Sequence, residues 1–267
     1  MKKYFAFFRL RFVMGLQYRA AAFAGLITQF VWGAMSIFTY RAFYESNPAA
    51  FPMAFGATAT YIWLQQAFLA LFAAWMVEYE IFDSIVGGSI AYELCRPIGI
   101  YNMWFVRSAA NRLSRAVLRC LPILIVAAFL PKPYGLDAPA DLWHFVLFAV
   151  TMILGFTVTV AFCMLVYGVS FFTVSPQGVR IVFTGSVELL AGQIIPLPFF
   201  PSGVQKVLEL LPFAAMENVP LRIYSGSMDS EEMIKAIVLQ LVWLAAIVLA
   251  GRLLCGRGEK KAVIQGG

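Results

Sequence analysis

The chain has 267 residues, of which 61% are hydrophobic and only 13% charged, and its mean hydropathy is +0.80. That balance excludes a soluble domain, whose surface needs far more charge, and describes an all-α polytopic membrane protein with lipid as its main solvent. The net charge of +6 points to membrane topology and lipid headgroups, with no nucleic acid partner.

Residues 1–19, "MKKYFAFFRLRFVMGLQYR", start basic like a signal peptide, but Arg9, Arg11 and Arg19 interrupt the apolar residues and no small-residue cleavage site follows. The segment is therefore expected to be retained. Phe5, Phe8, Phe12 and Leu16 recur at spacings of three and four and predict one apolar stripe, with Arg9 and Arg11 facing headgroups. This is the pattern of an interfacial helix lying on the membrane.

Windows of about twenty residues, the length a helix needs to cross hydrocarbon, give six candidate spans: 20–40, 55–77, 116–130, 142–172, 180–197 and 233–254. The third is short, preceded by Arg112, Arg115 and Arg119, which are expected to snorkel to the interface, and interrupted by Pro122. The fourth is long enough to require tilt. Fifteen of the twenty Lys and Arg residues fall on the side that holds both termini, and five fall on the other. The positive-inside rule then makes both termini cytoplasmic.

Between the second and third spans lies a cytoplasmic loop, 78–115, that contains "GGSIAYELCRPIGIY". Gly87 and Gly88 break it, residues 90–94 predict a short helix, and Arg96-Pro97 ends that helix. Mixed charges and many apolar residues suit docking to a soluble partner, with Glu93 and Arg96 as polar contacts. Glu78, Glu80 and Asp83 read as a solvated or partner-facing cluster rather than paired catalytic carboxylates.

The stretch "GQIIPLPFFP" places Pro196, Pro198 and Pro201 at the outer end of the fifth span. Proline removes an amide donor, and lipid tolerates the broken backbone only where protein or water satisfies it. Beyond it, Val204, Val207, Leu208 and Leu211 predict an amphipathic helix stopped at Pro212, and a second apolar piece, 213–219, precedes Pro220. Two pieces too short to cross predict an extracellular re-entrant helical hairpin over 198–225.

Glu188 stands alone among the acids in a predicted span, where such residues normally face a pathway or a partner; Gln193 and Gln65 are candidate neighbours. A protonated structural carboxyl is the competing reading. The four cysteines form no CxxC pair, and the single histidine, His144, lies beside Trp143 at an apolar run's start, as an interfacial anchor would. No metal site and no catalytic set is legible. The chain lacks G-x-x-x-x-G-K-[ST], so it is not expected to cradle ATP phosphates in the usual way.

In the order of these segments the chain resembles the membrane subunits of type-2 ABC exporters, the ABC-2 permeases, and within them the small six-span type. The resemblance rests on "LQYRAAAFAGLI", on the "GGSIAYELCRPIGIY" loop, on "LAGQIIPLPFFPSGVQKVLELLPFAAMENVP", and on a last span with a short basic tail. It implies a coupling helix around 88–98, with Gly88, Ile90, Tyr92, Glu93, Leu94, Arg96 and Pro97 meeting an ATPase. The interfacial helix would complete that contact. Pro196, Pro198, Pro201, Pro212 and Phe213 would belong to the extracellular gate, and the second and fifth spans, with Gln65, Glu188 and Gln193, would line a path between two permeases. It further implies an ABC ATPase dimer that holds ATP and Mg, with no cofactor in this chain. A second copy or a different permease, the bacterial cytoplasmic membrane, and a hydrophobic or amphipathic substrate (lipid, peptide or drug) complete that expectation. An ion-coupled transporter or channel remains the alternative. It predicts buried charges in several spans or paired broken helices in both halves.

Overall fold

The computed structural model describes residues 2–17, 19–173 and 175–261; Met1 and Tyr18, which fall in the expected interfacial helix, lie outside them. The chain opens with α1 (Lys2–Leu16), and α2 (Arg19–Ser46) follows. Then come α3 (Phe55–Phe72), α4 (Tyr79–Val86), α5 (Ile90–Leu94) and α6 (Ile100–Phe129). The second half holds α7 (Leu142–Ser170), α8 (Pro176–Leu190), α9 (Ser202–Leu210), α10 (Asn218–Tyr224) and α11 (Ser230–Lys261). Among the described residues no strand forms.

Among the described residues three helices are long and apolar enough to cross a membrane: Ala22–Ser46 within α2, α7 and α11. Large apolar side chains such as Phe23, Ile27, Trp32, Ile153 and Leu249 stand exposed on them, as lipid-facing side chains do. By contrast α3 is sheathed by protein, with fourteen of its eighteen residues buried. One core cluster joins α3, α6, α7 and α10 around Tyr61, Trp104, Tyr167 and Leu221, and a second joins α2, α3 and α6 around Leu26, Trp63 and Ile123.

Several boundaries differ from those the sequence predicts. The expected loop 78–115 ends early, because residues 100–115 are the first half of one 30-residue helix, α6, of which 116–129 is the far half. Charge misleads here: Arg112, expected to snorkel to the interface, is buried and bonded to backbone carbonyls, and Arg107 is buried beside Glu78 and Glu80. Arg112, only 2% exposed, donates to the carbonyls of Leu71, Ala73 and Met76 at 2.9–3.0 Å, so α3 ends at Phe72 instead of running to Val77. Arg11 likewise faces the protein, lining a cavity beside α6, while Arg9 is exposed. Pro122 lies inside α6 without ending it.

The expected fifth span, 180–197, is replaced by a shorter helix. α8 has 15 residues, about 22 Å at 1.5 Å per residue, against a hydrocarbon core of roughly 30 Å. Its start is fastened to α4, where Arg180 donates to the Tyr79 hydroxyl and lies over its ring. It stops at Leu190, level with the Gln65–Phe72 half of α3. Pro220, which the apolar piece 213–219 precedes, sits in the first turn of α10, where its missing N–H costs nothing.

Candidate functional site

The α4–α5 end of the molecule presents a small projecting helix. Gly88 turns the chain at φ +73°, the left-handed region where only glycine is free of strain. In the five residues of α5, Ile90 (1% exposed) anchors the inner side and Tyr92 (79% exposed) points away. Glu93 is half-buried and accepts from the Trp104 indole at 2.6 Å; that indole in turn packs against Tyr167 and Phe171. Leu94 is half-buried against the core, whereas Arg96 and Pro97 are exposed. The structure thus splits the expected coupling residues into an inward set, Ile90, Glu93 and Leu94, and an outward set, Tyr92, Arg96 and Pro97.

α1 joins this end. Lys3 Nζ donates to the Pro97 carbonyl and Asn102 Nδ2 lies 3.4 Å from the Tyr4 hydroxyl. Behind α4, Arg107 bridges Glu78 and Glu80, and Asn111 donates to Glu78 at 2.9 Å. Those carboxylates thus engage α6, Glu78 half-buried and Glu80 exposed, and Asp83 is exposed as well.

At the other candidate region the chain breaks after α8. Its freed carbonyls at Gly192 and Gln193 accept from Gln65 Nε2 at 3.1 and 3.2 Å, and Gln193 Nε2 donates back to the Phe72 carbonyl at 3.0 Å. Gln65 thus holds carbonyls left free where α8 ends, and Gln193 holds one at the end of α3. Pro196 and Pro198 are buried, and a 3-10 turn at Leu197–Phe199 carries Phe199 against Tyr40 and Phe51, with ring centroids 4.6 and 4.9 Å apart. Pro201, exposed, precedes α9.

From α9 the chain turns back through Pro212 and Phe213, both half-buried, and Phe213 meets Phe162 of α7 at 5.4 Å. The tip of this return presses on Gly155 of α7, where a Cβ would come within 2.0 Å of the Met216 carbonyl oxygen. Arg222 ties the return together, donating to Glu209 of α9 at 2.6 Å, to Glu232 of α11 at 3.3 Å and to the Ser227 carbonyl. Trp243 of α11 donates to the Leu210 carbonyl at 2.9 Å.

Gln65 and Gln193 therefore meet, but Glu188 does not join them. It is half-exposed on α8 and makes no hydrogen bond or ion pair with a described residue. The acid that does approach them is Glu217, in the turn before α10 and outside the spanning helices. It is fully buried, with neither carboxyl oxygen in hydrogen-bond geometry to a described residue. Burial pushes its pKa up to about 8, a rise that the adjacent Gln193 side chain partly offsets. Neutral Glu217 has one O–H to give, and the Gln193 Oε1 beside it is a buried acceptor without a partner. The signal was present in "FAAMENVPL", one acid inside an apolar run, the same kind of signal that singles out Glu188.

Among the described residues no group of three or more His, Cys, Asp or Glu side chains is arranged to hold a metal. Comparison with known proteins gives one match: the family model described as ABC-2 family transporter protein aligns with residues 30–266. Searches of curated proteins and of solved structures each return no match. The family match takes in α3 to α11, including the projecting α5 and the broken segment after α8, and the chain belongs to the ABC-2 transporter family.

Proposed function

We propose that this chain is the permease subunit of an ATP-driven exporter, and that it docks a separate ATPase through α5 and forms its translocation path as a dimer. The family match over 30–266 carries the proposal. In this reading α3, α6 and α8 complete six spans with α2, α7 and α11, both termini are cytoplasmic, and the membrane is the bacterial inner membrane. ATP and Mg belong to the ATPase pair.

The outward set of Tyr92, Arg96 and Pro97 is the docking chemistry: an exposed ring and a cation at the end of a short helix, backed by α1. Motion enters there and passes to α6 through Glu93 and Trp104. The segment 191–225 is the re-entrant extracellular gate, with Pro196, Pro198, Pro201, Pro212 and Phe213 setting its breaks. Glu188 faces the path or the partner permease. Exposed Trp32, Met35 and Phe43 of α2 border, with Ile194 and Phe199, a cavity of about 550 Å³ that suits a hydrophobic or amphipathic substrate.

The test is gentle solubilisation from the native host, mass spectrometry of co-purifying chains and an ATP hydrolysis assay. An ATPase subunit retained by the wild type and lost on Tyr92→Ala with Arg96→Glu supports the proposal and places the docking site. If crosslinking in intact membranes captures no ATPase, the ion-coupled or channel reading takes its place.

A further inference from the structure

A cavity of about 410 Å³ lies between α1, the first half of α6, the 76–80 segment and the start of α2. Four arginines line it, Arg11, Arg107, Arg115 and Arg119, against two carboxylates, Glu78 and Glu80. Both carboxylates engage Arg107. The lining therefore carries an excess of two positive charges in a space partly closed to water, where repulsion is poorly screened.

The crowding is built in. Arg107 is 4% exposed. Burial, and next the nearness of Arg107, hold the Arg11 pKa down. The Arg119 guanidinium is seated against Gly25 of α2, where a Cβ would lie 2.5 Å from its Cζ. Any larger residue at position 25 would displace a charge from the cavity wall.

Arginines from two helices, lining one space, carry planar guanidinium forks that match the oxygens of a phosphate group. The rest of the wall is mixed: Asn111 and Ser114 line it beside apolar side chains. Met14, Met76 and Leu118 line it, and on the outside of α1 the side chains of Phe5, Leu10 and Val13 stand exposed. A free phosphate has no use for such a wall, whereas a lipid places its phosphate among the arginines and its acyl chains along the apolar side.

We propose that this cavity binds the phosphate headgroup of an anionic phospholipid, which joins α1 to α6 by neutralising the arginines that both present to it. The proposal needs only that α1 lies at a membrane surface, and it stands whether or not the chain works with an ATPase.

The test uses the full chain, reconstituted with phosphatidylglycerol and phosphatidylcholine and examined by native mass spectrometry for lipid that survives delipidation. Wild type should retain phosphatidylglycerol preferentially. Arg11→Gln with Arg115→Gln should reduce that preference, by about fivefold per arginine at surface-like strength. Arg9→Gln makes the same charge change on α1 outside the cavity and should leave the preference intact. Equal loss in the Arg9 variant, or no preference in the wild type, overturns the site. Thermal stabilisation in detergent by inorganic phosphate alone, matching that by short-chain phosphatidylglycerol, overturns the lipid assignment. An acidic protein crosslinked at position 115 with lipid retention unchanged by the double variant also overturns it. Because Arg115 is exposed, Arg115→Gln alone keeps the test valid should the Arg11 change disturb folding.

Discussion

The Trp104 indole donates to the Glu93 carboxylate across 2.6 Å, and this bond fastens the five-residue α5 to the 30-residue α6. Trp104 is fully buried while its acceptor is half-exposed, so the bond runs from the core to the projecting end.

Trp104→Phe keeps the ring but removes the donor. A hydrogen bond to a charged group contributes about 1.5–3 kcal/mol, so hydrogen exchange over residues 88–98 should rise by roughly tenfold or more with the rest of the chain unchanged. If α5 exchange matches the wild type, this bond does not position the helix.

Arg112→Met should be strongly destabilising, by about 2–4 kcal/mol, because it leaves the Leu71, Ala73 and Met76 carbonyls without their donor in a buried site. Arg112→Lys should recover only part of this, since an ammonium cannot reproduce the fork. Melting in detergent measures both; equal melting of wild type and Arg112→Met would remove the clamp from the account.

Gly155→Val should push the Met216 turn off α7, because even a Cβ would lie 2.0 Å from that carbonyl oxygen. In a cysteine-free background, a cysteine at position 213 should label faster in the Gly155→Val variant. Unchanged labelling would mean that the turn has room to retreat without leaving α7.

Glu217 supplies a pH dependence with a definite sign. Its pKa is raised from 4.5 in the free side chain to about 8 by burial, so its neutral form suits the folded state. The corresponding stability is fully present below pH 4.5 and is lost as pH rises towards and through about 8. Glu217→Gln should flatten that part of the stability profile while folding normally at neutral pH. A wild-type profile without a fall over this window would show that the carboxyl reaches water.

Hydropathy and punctuation made much of this legible. The long apolar helices and the short helix at 90–94 follow from local composition, which acts within a few residues. What stayed hidden depends on distant partners. Nothing near Arg112 in the sequence says that its guanidinium ends α3, 36 to 41 residues away. Glu188 and Glu217 look alike as isolated acids, yet α8 leaves one half-exposed while the turn before α10 encloses the other. Gln65 and Gln193, candidate neighbours of Glu188 in the sequence, meet each other instead: Gln65 holds the backbone carbonyls after α8, and Gln193 holds the last carbonyl of α3.

Because the carbonyls that close α3 are held by a side chain of α6, the two helices share an end. Sliding α6 by one turn along its axis would strip three carbonyls at once, so α3 and α6 must travel as one body. Bending is then left to the short joints on either side of α5, at Gly87–Gly88 and at Pro97–Gly99. Past these joints the paired helices reach to the break after α8, where Gln193 grips the last residue of α3.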